Sequence, residues 1–317
     1  MLFLDTPNTT APHLYYNFCS NSHILLLSSM AGALLRLNGS ALPRSTARRP
    51  CPSLPHRPIA VTMSQNQSYW ASINAEIDAH LKQAIPLRPP LEVFEPMHHL
   101  AFAAPQNNAP ALCVAACELV GGRRDQATAA ASALHLMYAA SFAHEQLPLT
   151  DRPRPTTQHA YGPNIELLIP DGMTPFGFEL LAKSGDPAQN NSGRILRVTI
   201  EIARTMGSQG MVDGQYHELD RPQSDDIGWI EHMSKKKEGG FYACGAACGA
   251  ILGGGSEEEI EKLRRFGLYV GMIQGMLHGV GRKEKGLAKV VEELRNLALK
   301  ELEEFKGGKV EAIASFV

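Results

Sequence analysis

The 317-residue chain reads as an all-α protein. Apolar residues recur at three- and four-residue spacing through most of the chain after Met63, and no segment alternates apolar and polar convincingly enough to make a strand. Glycine and proline fall where the periodic runs stop, as expected of helix ends. One domain of eight to ten helices is predicted over residues 63–317, with no internal repeat beyond two echoed cysteine pairs.

The first predicted helix is "SQNQSYWASINAEIDAHLKQAI", capped at Ser64 or Ser68 and interrupted by "PLRPPLEVFEP". A second runs from Ala109 to Val120 and stops at Gly121-Gly122, and a third runs from about Arg124 to Gln146, ahead of Pro148. "LTDRPRPTTQHAYGP" is a proline-rich loop. Helices near Asn164–Lys183 and Gly193–Met206 follow, then a polar connection over 207–224. Ser224 is placed as the cap of the next helix, and the helix of Cys244 and Cys248 comes after it. Ser256 with Glu259 forms a capping box that opens a helix whose apolar positions are Ile260, Leu263, Phe266, Val270, Ile273 and Leu277. A final helix repeats the pattern with Leu287, Val290, Val291, Leu294 and Leu297.

Composition narrows the function classes. A net charge of −2 supplies no basic field for nucleic acid. The run Ile24–Leu35, broken by two serines, falls short of the roughly 20 apolar residues needed to cross a bilayer. Residues 1–62 differ from the rest: Arg36, Arg44, Arg48, Arg49 and Arg57 and seven serines accompany a single acid, Asp5. That composition predicts a disordered transit peptide, with the plastid as its address and Met30 as an alternative start; a tail without an address is the competing reading.

Six cysteines in a chain of this length do not make a disulfide framework, and Cys19 and Cys51 lie within the leader. The other four form two C-x-x-x-C pairs, Cys113/Cys117 and Cys244/Cys248, each among alanines and glycines. Residues four apart share a helix face, so each pair is a stripe of small, soft side chains. An interior packing surface and a four-thiolate zinc site are both open readings, although zinc ligands ordinarily converge from turns at shorter spacing. A disulfide within a pair is disfavoured, because the side chains project in parallel.

"CELVGG", "HEQLPLTD", "YGPNIELL", "PFGFELLA" and "CGAACGAILGGG" occur in this order over about 150 residues. Together they resemble plant geranylgeranyl diphosphate synthases of the trans-isoprenyl diphosphate synthase family, and among them the small-subunit homologues with paired C-x-x-x-C motifs. The likeness covers essentially everything after Met63. It implies an all-α bundle around a central cavity. Catalytic members join isopentenyl diphosphate to an allylic diphosphate using Mg²⁺, held by two facing aspartate-rich patches that balance charge on the departing phosphates.

Set beside that chemistry, this chain is depleted. Where the catalytic pattern reads Asp-Asp-Leu-Pro-x-x-Asp, the chain has Glu145-Gln146-Leu147-Pro148-Leu149-Thr150-Asp151, a degenerate metal motif. Arg152 and Arg154 stand apart in place of paired arginines. The helix that would carry the second patch has no Asp or Glu from Phe266 to Lys283, with Gln274, Gly275 and His278 at the expected positions. Asp225-Asp226 with Glu231 looks like a metal patch but reads as acids in a helix first turn. His98-His99 replaces a basic motif, and adjacent helix residues point about 100° apart, so these histidines do not converge on a metal. His159 and Lys237 match basic, diphosphate-binding positions as remnants.

The resemblance therefore implies a non-catalytic small subunit without a catalytic residue or metal of its own. It would regulate a Mg²⁺-using large subunit, in a heterodimer or heterotetramer of the plastid stroma that is open to recruitment at thylakoids. On this reading Cys113, Cys117, Cys244 and Cys248 serve partner binding. A small subunit of geranyl diphosphate synthase and a weak prenyltransferase using Glu145 and Asp151 are the alternatives.

Overall fold

The computed structural model describes residues 59–147, 160–219, 226–278 and 286–317. Among them every regular element is helical. The α-helices are α1 (Ile59–Ala84), α2 (Leu91–Ala103), α3 (Ala109–Leu119), α4 (Arg124–Glu145), α5 (Pro163–Lys183), α6 (Ser192–Met206), α7 (Met211–Leu219), α8 (Ile227–Ser234), α9 (Gly240–Gly253), α10 (Glu257–His278), α11 (Leu287–Glu301) and α12 (Gly308–Ala314). A 3₁₀ turn lies at Pro187–Gln189 and a π-helical turn at Lys235–Gly239.

The punctuation works as its chemistry dictates. Gly121 takes φ 93° after α3, and Gly254 takes φ 84° after α9, conformations that side chains rarely tolerate. The α10 capping box is complete: the Ser256 N–H donates to Glu259 Oε2 at 2.7 Å, and the Glu259 N–H donates back to Ser256 Oγ at 3.3 Å.

Several expectations need correction. α1 starts at Ile59, upstream of both proposed serine caps, so the helix crosses the 62/63 boundary. α2 is already helical at Leu91 and contains Pro96. The polar connection contains α7, whose apolar residues Val212, Tyr216 and Leu219 face outward and therefore left no core pattern to read. Asp226 is the N-cap of α8 rather than a first-turn residue, and Ser224 and Asp225 lie outside the described residues. Leu277 and Leu297 are exposed, since each sits one step off its helix's buried stripe. The twelve described α-helices exceed the eight to ten expected because α7 and α12 are short.

α9 is the centre of the bundle. From Phe241 to Leu252 every residue is buried, with α3, α4, α6 and α10 packed around it. Two glycine rows make that possible. On α9 itself, a methyl group built on Gly245 would lie 2.6 Å from the Ala109 carbonyl oxygen of α3, and one on Gly253 would lie 2.7 Å from that of Cys117; one on Gly249 would overlap the Cys113 carbonyl. On α10, a methyl on Gly267 would meet the Tyr242 carbonyl oxygen at 2.5 Å, and one on Gly271 would overlap the Glu238 carbonyl. Spacing of four puts each row on one helix face, so backbone lies against backbone.

Gly249→Ala should therefore lower the melting temperature, at a cost of about 1–3 kcal/mol from overpacking. Gly172→Ala is the matched control, because nothing lies within 4 Å of a methyl there. It should raise stability by about 0.5–1 kcal/mol through helix propensity alone. Equal effects of the two changes would refute the backbone-contact account.

Candidate functional site

Glu145 closes α4, and Glu218 lies on the inner face of α7. Lys237 comes from the π turn that feeds α9, and a turn of this wider kind breaks helix periodicity and re-aims its side chains. α7 can lie close to that turn because Gly214 has no side chain; a methyl there would come within 2.7 Å of Lys237 Cγ.

Lys237 Nζ lies 2.9 Å from Glu145 Oε1 and donates to Glu218 Oε2 at 2.9 Å. Gln215, one turn before Glu218, donates from Nε2 to Glu145 Oε1 at 2.9 Å and to Ser141 Oγ at 2.7 Å. Burial by itself would lower the Lys237 ammonium's pKa, but the carboxylates of Glu145 and Glu218 outweigh it and hold it above the ordinary lysine range. Glu238, the next residue, is pushed the other way: burial raises its carboxyl above the usual range, against the pull of Lys237. Its Oε2 fills the space in front of Gly275, where a methyl would come within 2.9 Å of it.

Lys237 and Glu238 divide the interior. On one side a cavity of about 60 Å³ is bounded by Asn107, Tyr138, Phe142, Met211 and Phe241. On the other a cavity of about 70 Å³ is bounded by Trp229, Ile230, Met233 and Gly275. Ligand pockets usually run from roughly 300 to 1,000 Å³, so each compartment suits a few waters rather than a prenyl chain.

The remaining candidates divide. Glu145 and Lys237 are brought together, while Gln146 is the C-cap of α4. Asp151, Arg152, Arg154 and His159 lie outside the described residues. His98 packs on Phe102 and His99 on Tyr161, with ring centroids 4.7 and 5.5 Å apart. Sequence reasoning missed Gln215, Glu218 and Glu238. Gln215 and Glu218 share a face with Met211 and Gly214, a spacing legible only once 211–219 is read as a helix.

The cysteines require a correction. Cys113, Cys117, Cys244 and Cys248 are all at most 1% exposed, inside the α3/α9 contact. Side chains so enclosed cannot touch a partner, so any bearing on association passes through the fold. Cys244 and Cys248 lie with their sulfurs 3.7 Å apart, and the Cys117 thiol donates to the Arg123 carbonyl at 3.3 Å. Burial raises the Cys113 and Cys117 thiols, the latter to about 12. That favours neutral SH over metal-binding thiolate. Among the described residues no group of three or more His, Cys, Asp or Glu side chains is placed to hold a metal ion.

Lys237→Met would leave Glu145 and Glu218 without their shared cation and should cost about 1–3 kcal/mol, less than for a fully buried pair because the carboxylates are partly exposed. Glu238 gives a pH signature. A carboxyl whose pKa is raised on folding stabilises the fold below its unfolded pKa and loses that contribution as pH rises through the folded value. Wild-type stability relative to Glu238→Gln should therefore decline as pH rises out of the ordinary glutamate range. Melting curves showing a pH-independent difference would contradict it.

Comparison with known proteins agrees with this architecture. The family model described as polyprenyl synthetase matches residues 91–274. The chain is 55% identical over 279 residues to the heterodimeric geranylgeranyl pyrophosphate synthase small subunit 2, chloroplastic, of Cannabis sativa, covering 83% of this chain and 97% of that protein. Among solved structures, the geranyl diphosphate synthase small subunit from Antirrhinum majus superposes with a TM-score of 0.75 at 58% identity, covering 79% of this chain and 97% of that one. A mint heterotetrameric geranyl pyrophosphate synthase, as a deletion mutant with ligands, gives a TM-score of 0.72 at 50% identity, covering 78% of this chain and 98% of that one. With its helix order, its central α9 and this match over more than half its length, the chain belongs to the polyprenyl synthetase family.

Proposed function

We propose that this chain is the non-catalytic small subunit of a heteromeric geranylgeranyl diphosphate synthase, acting in the chloroplast on a catalytic large subunit whose activity, product length or delivery it modulates. One observation carries the non-catalytic part: the Lys237 ammonium takes up the space between Glu145 and Glu218. A Mg²⁺ ion would need those carboxylate oxygens free and a second patch opposite. α10 offers Gly275 there, with Glu238 folded against it. The described residues at this cluster do not fit Mg²⁺, so the metal chemistry is assigned to the large subunit and no catalytic step to this chain.

Association is supported by the relatives, which are named as parts of heterodimeric and heterotetrameric synthases, and by α6. Leu196 and Ile200 lie one turn apart on its outer side and are 62% and 48% exposed, whereas Ile195, Val198 and Ile202 face the core. Apolar residues left in water on a long helix mark a surface that a partner covers. The cysteine pairs contribute by setting the α3/α9 packing beneath that surface. The address rests on the composition of residues 1–62 and on the chloroplastic relatives. Among the described residues no helix is long and apolar enough to cross a membrane.

The test is to purify the chain alone and with a geranylgeranyl diphosphate synthase large subunit. Alone, it should not condense isopentenyl with allylic diphosphate; Mg²⁺-dependent turnover at ordinary enzyme rates would overturn the reading. Leu196→Glu with Ile200→Glu should weaken co-purification at least tenfold without changing the melting temperature of the isolated chain. Cys113→Ser with Cys117→Ser should instead lower that temperature in the absence of any partner, by about 1–3 kcal/mol per unsatisfied hydroxyl. Identity of 58% to a geranyl diphosphate synthase small subunit and of 50% to a chain of a heterotetrameric geranyl pyrophosphate synthase favours a second reading in which the complex releases the shorter product. Chain-length analysis of the complex's products decides between them.

A further inference from the structure

The π turn faces two ways. Lys237 and Glu238 enter the interior, and Lys235 and Lys236 line a separate cavity of about 310 Å³ on the other side. Its walls include Arg204 at the end of α6, Thr205, Gln209, Lys235 and Lys236, with Leu268 of α10 as an apolar floor. The i to i+5 hydrogen bond from the Gly240 N–H to the Lys235 carbonyl holds this turn in its wider form.

The charge around this cavity is one-sided. Lys236 is paired with Asp213 at 2.7 Å, and His217 also approaches Asp213. Glu201, the nearest acid on α6, is held by Arg264 through two bonds of 2.8 and 2.9 Å. Neither Arg204 nor Lys235 has an acidic partner among the described residues, and no carboxylate lines the cavity. Near the end of α6 the Ala203 carbonyl accepts from the Gly207 N–H, and just beyond the helix the Gly207 carbonyl accepts from those of Gly210 and Val212. Two uncompensated cations thus face a hollow that also offers a hydroxyl and an amide. Like-charged groups converging on a concavity raise the local concentration of anions.

We propose that this cavity is a binding site for a phosphoryl anion, separate from the interior cluster, with Arg204 and Lys235 as its charged ligands. A guanidinium presents a planar fork to two phosphate oxygens, and an ammonium adds a point charge that suits a doubly charged group. The volume is at the small end of ligand pockets and suits a compact anion, which Arg204 and Lys235 would hold within an otherwise largely apolar lining. The same chemistry is available from free inorganic diphosphate and from the headgroup of an acidic phospholipid. The site stands whether or not the chain is catalytic, because none of its residues belongs to the Glu145–Lys237 cluster.

The experiment is calorimetric titration of the full-length chain with sodium diphosphate, together with flotation on phosphatidylglycerol vesicles. Arg204→Gln with Lys235→Gln should weaken binding at least tenfold, and each single change should do so by less. Arg204 and Lys235 are exposed, so the variants should melt like the wild type, which a melting curve checks. Vesicle capture lost in the double variant, without binding of free diphosphate, assigns the site to a headgroup; titration lost in the double variant assigns it to the free anion. Absence of binding in both arms overturns the proposal, as does a double variant that binds like the wild type. Loss of binding in Lys237→Met with retention in the double variant would place the anion in the interior cluster and would also overturn it.

Discussion

Backbone-to-backbone contact of α9 with α3 and α10 is the constraint on which the rest of the structure depends. Gly245, Gly249 and Gly253 admit the carbonyls of α3, and Gly267 and Gly271 of α10 admit those of α9 and the π turn. Dense packing of this kind leaves little room for adjustment, because interiors at crystal-like density cannot absorb an added methyl cheaply. The thiols of Cys113, Cys117, Cys244 and Cys248 fill the remaining space as small, soft groups.

That packing also shapes the chemistry. Gly275 continues the glycine row of α10 to the place where Glu238 lies, so the spacing that lets α10 approach the π turn also leaves that helix without a carboxylate opposite Glu145. Lys237, set inward by the π turn, then meets Glu145 and Glu218 and is held charged by them. Such a network has its charges paired within the chain, so each charged group is satisfied where it lies. α7 completes it through Gln215 and Glu218, and its exposed outer face leaves a nine-residue helix dependent on these polar contacts.

The leading features sort by depth. Interior side chains, including all four cysteines, settle how helices stack. Features facing solvent, the Leu196/Ile200 stripe on α6 and the Arg204/Lys235 hollow beside the π turn, remain available for contact with other molecules. Burial alone separates these classes, since a side chain without exposure acts on a partner only through the fold it supports.

The sequence by itself determined the helical class, the limits of most long helices, the capping box at Ser256, the glycine stop at Gly121, and the loss of acids from Phe266 to Lys283. These are local properties: periodicity and terminal chemistry act within a few residues, so a linear reading suffices. The ordered motifs also carried the family resemblance. Only the tertiary structure decided that the cysteine pairs are interior and that glycine rows draw α9 so close to its neighbours. It alone placed Lys237 against Glu145, 92 positions away and on a different helix, and brought Glu218 to both from a segment read as a loop. Such contacts depend on which helix faces meet, and a stripe of small residues looks the same in a sequence whether it is covered by the chain's own backbone or by another molecule.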